Sequence, residues 1–132
     1  GLEEAVRGAV AAGRPLFGIC VGMQILATRG HEFETCDGLG LIAGEVVRIA
    51  PADPRLKVPH MGWNDLVVTG AHPVMAGVAT GDHAYFVHSW QFRVADPADR
   101  LAHVDYGGEV TASVAKGTVV ATQFHPEKSQ AT

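Results

Sequence analysis

Residues 13–30, GRPLFGICVGMQILATRG, decide the fold. The run PLFGI is short and wholly apolar, which predicts a strand buried on both faces, as in a parallel sheet. Cys20 follows it, with Gly18 and Gly22 two places to either side, and the apolar spacing beyond predicts a helix over 21–29 that closes at Gly30. A strand that turns at once into a helix crowds the side chains two before and two after the corner, so both places ask for glycine. Glycine-x-nucleophile-x-glycine is the nucleophile-elbow pattern, here with cysteine in the serine position. Such a corner strains the residue's backbone and pushes its sulfur into the open. It also sets the thiol at a helix N-terminus, whose positive end favours the thiolate. The amide of Val21 would donate to a developing oxyanion there. The competing reading of Cys20 is a small buried hydrophobe, the commoner fate of a free cysteine.

Outward from the corner, LEEAVRGAVAAG (2–13) places Leu2, Ala5, Val6, Ala9 and Val10 on one helical face and stops at Gly13. The chain thus opens on a helix without an initiator methionine and reads as a piece of a longer protein. HEFETCDGLG (31–40) is a loop, GEVVRIA (44–50) a strand, and PADP (51–54) a turn. Short strand signals follow at about 65–69, 84–88 and 90–94, with AHPVMAG (71–77) a turn or a single helical turn. Residues 101–124 alternate like a strand pair with AKGT as the tight connection. The expected fold is α/β with an antiparallel extension, in one domain spanning 1–132.

Composition narrows the function classes. The 132 residues are 47% hydrophobic and 18% charged, with a net charge of −4, as in a soluble globular domain. No Lys/Arg cluster offers a nucleic-acid footprint, and no apolar run approaches the roughly 18 residues needed to span a bilayer. The first residues lack the basic start and apolar block of a signal peptide. Two cysteines make no disulfide framework, which points to the reducing cytosol. Neither C-x-x-C nor H-x-x-x-H occurs, so no metal site is expected, and Cys36 is structural or incidental.

A cysteine nucleophile needs a base and a group to orient it. Of seven histidines, His125 stands out in QFHPEKS, at the end of the apolar strand TVVATQF, where open α/β sheets place functional groups. Pro126 forces His125 into an extended backbone, so Glu127, two residues on, points the same way. Glu127 could then hold one tautomer of His125 while the imidazole faces the thiol, the logic of a triad. A surface turn HPE is the equal alternative.

GICVGMQIL together with FHPEKS resembles the class I, triad-type glutamine amidotransferases. KVPHMGWN (57–64), GLGLIAGEVVRI and YFVHSWQF narrow the likeness to the glutaminase subunits of imidazole glycerol phosphate synthase, over nearly the whole chain. The resemblance implies a flavodoxin-like fold with a mixed sheet flanked by helices. It also implies hydrolysis of glutamine to glutamate and ammonia without a cofactor. Ammonia would pass to a partner cyclase, a (β/α)₈ barrel forming a heterodimer with the glutaminase, in cytoplasmic histidine biosynthesis. By resemblance Cys20 is the nucleophile, His125 the base and Glu127 its orienter. Gln24 lines the glutamine pocket, Glu32 meets the substrate ammonium, and the backbone of Ser89 and Trp90 meets its carboxylate. Met61, Trp63 and Lys128 would face the cyclase. The family's chains carry earlier strands, a glycine-rich loop with a second oxyanion donor, and a last helix, so this chain is expected to be truncated at both ends and inactive alone. Two alternatives stay open: the glutaminase of another class I amidotransferase, and a silent partner-binding domain.

Overall fold

The computed structural model describes residues 2–31, 36–70 and 79–124, apart from the side chains of Leu2, Val21 and Cys36. Helix α1 (Leu2–Ala11) ends as its glycine predicts: Gly13 takes φ 78°. The amide of Gly13 donates to Val10 O and that of Arg14 to Ala9 O, each at 3.0 Å, so two of the helix's terminal carbonyls are satisfied. Strand β1 (Leu16–Ile19) leads through Cys20 into the single turn α2 (Val21–Gln24).

Short strands β2 (Arg29–Gly30) and β3 (Cys36–Asp37) precede β4 (Gly44–Arg48), β5 (His60–Asp65) and β6 (Val67–Val68). Then come β7 (His83–His88), β8 (Trp90–Val94), β9 (Arg100–Asp105), β10 (Glu109–Lys116) and β11 (Val119–Thr122). A five-stranded mixed sheet in the order β1-β11-β10-β9-β6 forms the centre. In it β1 runs parallel to β11, with Leu16 opposite Val119 and Ile19 opposite Thr122, and the other pairings are antiparallel. One smaller sheet (β3-β2-β4-β8) and one strand pair (β5-β7) complete the described architecture.

The central sheet carries a core on each face. Met23 and Leu26 join Ile42, Val46 and Phe92 against Val114, Val119 and Ala121 on one side. On the other, Phe86, Leu66 and Phe124 pack with Val104, Val110, Ala112 and Val120. Every residue of β11 is buried, so VVAT is the strand enclosed on both faces.

Three expectations change. Among the described residues PLFGI is not enclosed: β1 is the edge of their central sheet, Phe17 and Ile19 are 48% and 39% exposed, and the Leu16 face is the one that meets packed side chains. The helix expected over 21–29 stops at Gln24, and Gly30 lies in β2. Its next carbonyls are taken by another segment, Ile25 O by Leu39 N, Ala27 O by Gly40 N and Leu26 O by Ile42 N, so tertiary bonds replace helical ones. The pair expected over 101–124 is three strands, since Gly107 and Gly108, both at positive φ, make a second reversal between β9 and β10. KVPHMGWN, which gave no strand signal, contains β5. AHPVMAG (71–77) lies outside the described residues.

Candidate active site

The strand-to-helix corner has the strain that the elbow pattern implies. Cys20 takes φ 56°, the only positive φ of a non-glycine residue among those described. That region costs an ordinary L-residue free energy and persists only where the surroundings impose it. The imposing contacts are backbone bonds. Cys20 N donates to Thr122 O at 2.8 Å, continuing the β1–β11 ladder, while Cys20 O accepts from Met23 N and Gln24 N to start α2. Val21 is the first residue of that turn, so its amide has no acceptor within the helix. The two glycines differ. A Cβ on Gly18 would sit 2.7 Å from Gly22 O, whereas one on Gly22 would meet nothing within 4 Å among the described residues. Among the described residues, steric crowding therefore explains Gly18 and does not explain Gly22.

The free Cys20 thiol is half-buried, and Gln123 Nε2 donates to its sulfur at 3.6 Å. Gln24, one turn along, donates Nε2 to Gln123 Oε1 at 2.9 Å and to Trp90 O at 3.1 Å. Trp90 O also accepts from His88 Nδ1 at 2.9 Å, and His88 Nε2 stands 3.0 Å from His60 Nδ1. His60 Nε2 lies 3.3 Å from Asn64 Nδ2, which also donates to Asp105 O at 3.0 Å.

The carbonyls at the ends orient every member of this chain of bonds. Trp90 O only accepts, so Gln24 must present its NH2 there, and His88 must carry its proton on Nδ1. His88 Nε2 then accepts from His60 Nδ1–H, and His60 Nε2 accepts from Asn64. Both rings are neutral in this arrangement. Burial, reinforced by the facing His88, pushes His60 down to about 4 from an ordinary 6.5. Burial also lowers His88, opposed by its bond to the Trp90 carbonyl. His60 is further held between Phe86 and Tyr106, with ring centroids 4.8 and 4.2 Å away.

The structure thus brings together Cys20, Val21, Gln24 and Trp90 of the residues singled out in the sequence. Ser89 precedes Trp90 at the β7–β8 junction, and its carbonyl accepts from Ile49 N. Met61 and Trp63 lie apart from this chain of bonds, on the outer face of β5, 62% and 52% exposed. Glu32, His125, Glu127 and Lys128 lie outside the described residues. Sequence reasoning missed Gln123, His88 and His60. Each is a polar residue buried at or just beyond the end of a strand, and the local pattern does not announce that inward position.

A mixed sheet that delivers a strained cysteine into a helical turn defines a class of enzyme fold, and the chain belongs to the class I glutamine amidotransferase family, which it matches over residues 1–132. It is 65% identical to the imidazole glycerol phosphate synthase subunit HisH of Cereibacter sphaeroides, over 100% of this chain and 63% of that protein. It is 64% identical to the subunit of the same name from Ruegeria pomeroyi, over 99% of this chain and 62% of that one. The chain therefore spans a little under two thirds of these relatives. Among solved structures, a glutamine amidotransferase aligns with a TM-score of 0.68 at 27% identity, over 96% of this chain and 60% of that one. A second, from Thermotoga maritima, shares the fold with a TM-score of 0.68 at 18% identity, over 94% of this chain and 45% of that one.

Proposed function

We propose that this chain carries the glutaminase chemistry of an imidazole glycerol phosphate synthase. The observation that supports the reading best is Cys20 itself, a half-buried thiol at φ 56° between β1 and α2, with the carboxamides of Gln24 and Gln123 beside it. His125 takes the Cys20 thiol proton, the resulting thiolate attacks the carboxamide carbon of glutamine, and the Val21 amide receives the oxyanion. Collapse expels ammonia, which takes its proton from His125, and leaves a thioester on Cys20. Water, giving its proton to His125, attacks the thioester and releases glutamate. Glu127 holds the imidazole in the tautomer that these transfers need. Gln24 lines the substrate pocket, with Glu32 on the substrate ammonium and the Ser89–Trp90 backbone on its carboxylate. No cofactor enters this scheme.

Ammonia passes to a cyclase subunit, a (β/α)₈ barrel, in the cytoplasm. Met61 and Trp63 suit its docking surface. They lie opposite Val87 and Tyr85 across the β5–β7 pair, and the Trp63 and Tyr85 rings meet edge to face at 5.5 Å. Lys128 joins them by resemblance. Exposed aromatic and methionine side chains grouped on one sheet face are the composition enriched at interface centres.

In the full-length protein with its cyclase, Cys20→Ala should abolish glutamine-dependent synthesis and leave ammonia-dependent synthesis within about twofold, because truncating the nucleophile removes one half-reaction only. Glutamine hydrolysis surviving in Cys20→Ala, or lost instead in Cys36→Ala, would overturn the reading.

A further inference from the structure

Gln123 has no part in the mechanism above, yet its side chain is completely buried and touches the reacting sulfur. Burying a carboxamide is unfavourable unless its donors and acceptor are used, and here the partners are functional groups. Its backbone is fixed independently of its side chain. Gln123 N donates to Ala112 O at 2.8 Å on β10, and the preceding Thr122 is tied by its carbonyl to Cys20 N.

We infer that Gln123 is a positioning residue for the glutaminase reaction, holding the Cys20 sulfur through its Nε2 while its Oε1 aims the Gln24 carboxamide. The inference rests on the reading of Cys20 as nucleophile.

The amide can point only one way. Gln24 gives one N–H to the Trp90 carbonyl and the other to Gln123, so the Gln123 atom facing Gln24 is its oxygen, and the atom facing Cys20 is its NH2. Turned over, Gln123 would set NH2 against NH2 and oxygen against sulfur. The orientation is secured further back, because His88 holds the same carbonyl and is itself held by His60, which in turn is held by Asn64. A donor fixed towards sulfur stabilises the thiolate over the thiol. β1, α2 and β11, the elements meeting at the corner, carry no charged side chain, so this neutral donor acts there without a competing charge from them. The titratable groups on the same chain of bonds are His88 and His60, both kept neutral by burial; His125 and Glu127, which the proposed function sets at the thiol, lie outside the described residues. The sequence contains the residue in QFHPEKS, where it precedes the expected base by two positions, but nothing in the pattern says that it turns inward.

The decisive readout is the pH dependence of Cys20 alkylation by iodoacetamide in the full-length protein, followed by mass on the Cys20 peptide. Gln123→Met keeps the volume and removes the donor. It should move the alkylation profile to higher pH, slow alkylation about tenfold at a given pH on its rising limb, and lower kcat/KM for glutamine about tenfold or more. Gln123→Glu replaces the donor with an oxygen and should shift the alkylation profile at least as far. A purely structural role would lower the melting temperature and leave the profile in place. A profile within 0.2 unit of wild type in a variant that still unfolds cooperatively would overturn the inference. If neither variant folds, Gln24→Leu decides on the same readout, since it frees the Gln123 amide. An upward shift of about half a unit or more upholds the inference, and an unmoved profile overturns it. Failure of the glutaminase reading is separate, because it would appear as glutamine hydrolysis that survives Cys20→Ala.

Discussion

The Cys20 corner and the β5–β7 pair are both built around glycines and aromatic or sulfur-bearing side chains, but by opposite means. At the corner the backbone is pressed: Cys20 is in the left-handed region, and Gly18 has no room for a Cβ beside Gly22 O. On the β5–β7 pair the backbone is open. Gly62 takes φ 117°, a Cβ there would meet nothing within 4 Å among the described residues, and Met61 and Trp63 stand in solvent. The first region is shaped so that one sulfur is held still with polar groups paired around it. The second leaves apolar surface uncovered. Chemistry suits the first arrangement and docking the second. The two meet through the inner face of the strand pair, whose His60 and His88 carry the hydrogen bonds back towards Gln24 and Gln123.

The contrast can be broken most forcibly at Gly18. Gly18→Ala should destabilise the fold by about 3 kcal/mol in urea unfolding, because a methyl at 2.7 Å from a backbone carbonyl must move the corner. Wild-type stability would show that the corner yields freely. At His60 the sign follows from its lowered pKa. The unfolded chain binds a proton below about 6.5 while the folded chain waits until about 4, so stability is full above the upper value and falls as the pH drops through this window. The loss should be about 3 kcal/mol from this shift, with His88 adding in the same direction, and it should shrink in His60→Gln. An equal pH dependence in His60→Gln would mean that the ring is not held neutral by its surroundings.

Smaller effects sharpen the other side. Trp63→Ala should weaken association with the proposed cyclase partner by about 30-fold in calorimetric titration of the full-length protein, as at an interface hot spot, while changing fold stability by less than about 1 kcal/mol. Unchanged affinity would remove the outer β5–β7 face from the interface. Gly22→Ala should be the mildest, stabilising by about 0.5–1 kcal/mol, since the site is open and alanine is the better helix former. A loss as large as that of Gly18→Ala would restore the symmetric reading of the elbow.

The corner was legible because glycine spacing reports backbone geometry directly. Cys20, β1 and the start of α2 fall where the local pattern places them, and so does α1 with its Gly13 stop. What the pattern could not carry was tertiary competition. ILATRG has helical spacing, yet the amides of Leu39, Gly40 and Ile42 claim the carbonyls that a helix would have used. PLFGI and VVAT are both short and largely apolar, and among the described residues position in the sheet makes one an exposed edge and the other enclosed. His60, His88 and Gln123 escaped notice because their meaning lies in one another, across 28 or more residues of chain. The grouping of Cys20 with Gln24 followed from one helical turn; the bond from Gln24 to Trp90 crosses 66 residues and no local spacing announces it.

The central claim is that Cys20 is the thiol that meets glutamine. Incubating the full-length protein with a chloroketone analogue of glutamine, then mapping the adduct by peptide mass, asks this directly. The account predicts a single adduct on the Cys20 peptide, formed at saturable rate and suppressed by glutamine. An adduct on Cys36, or labelling of Cys20 that glutamine does not suppress, would contradict it.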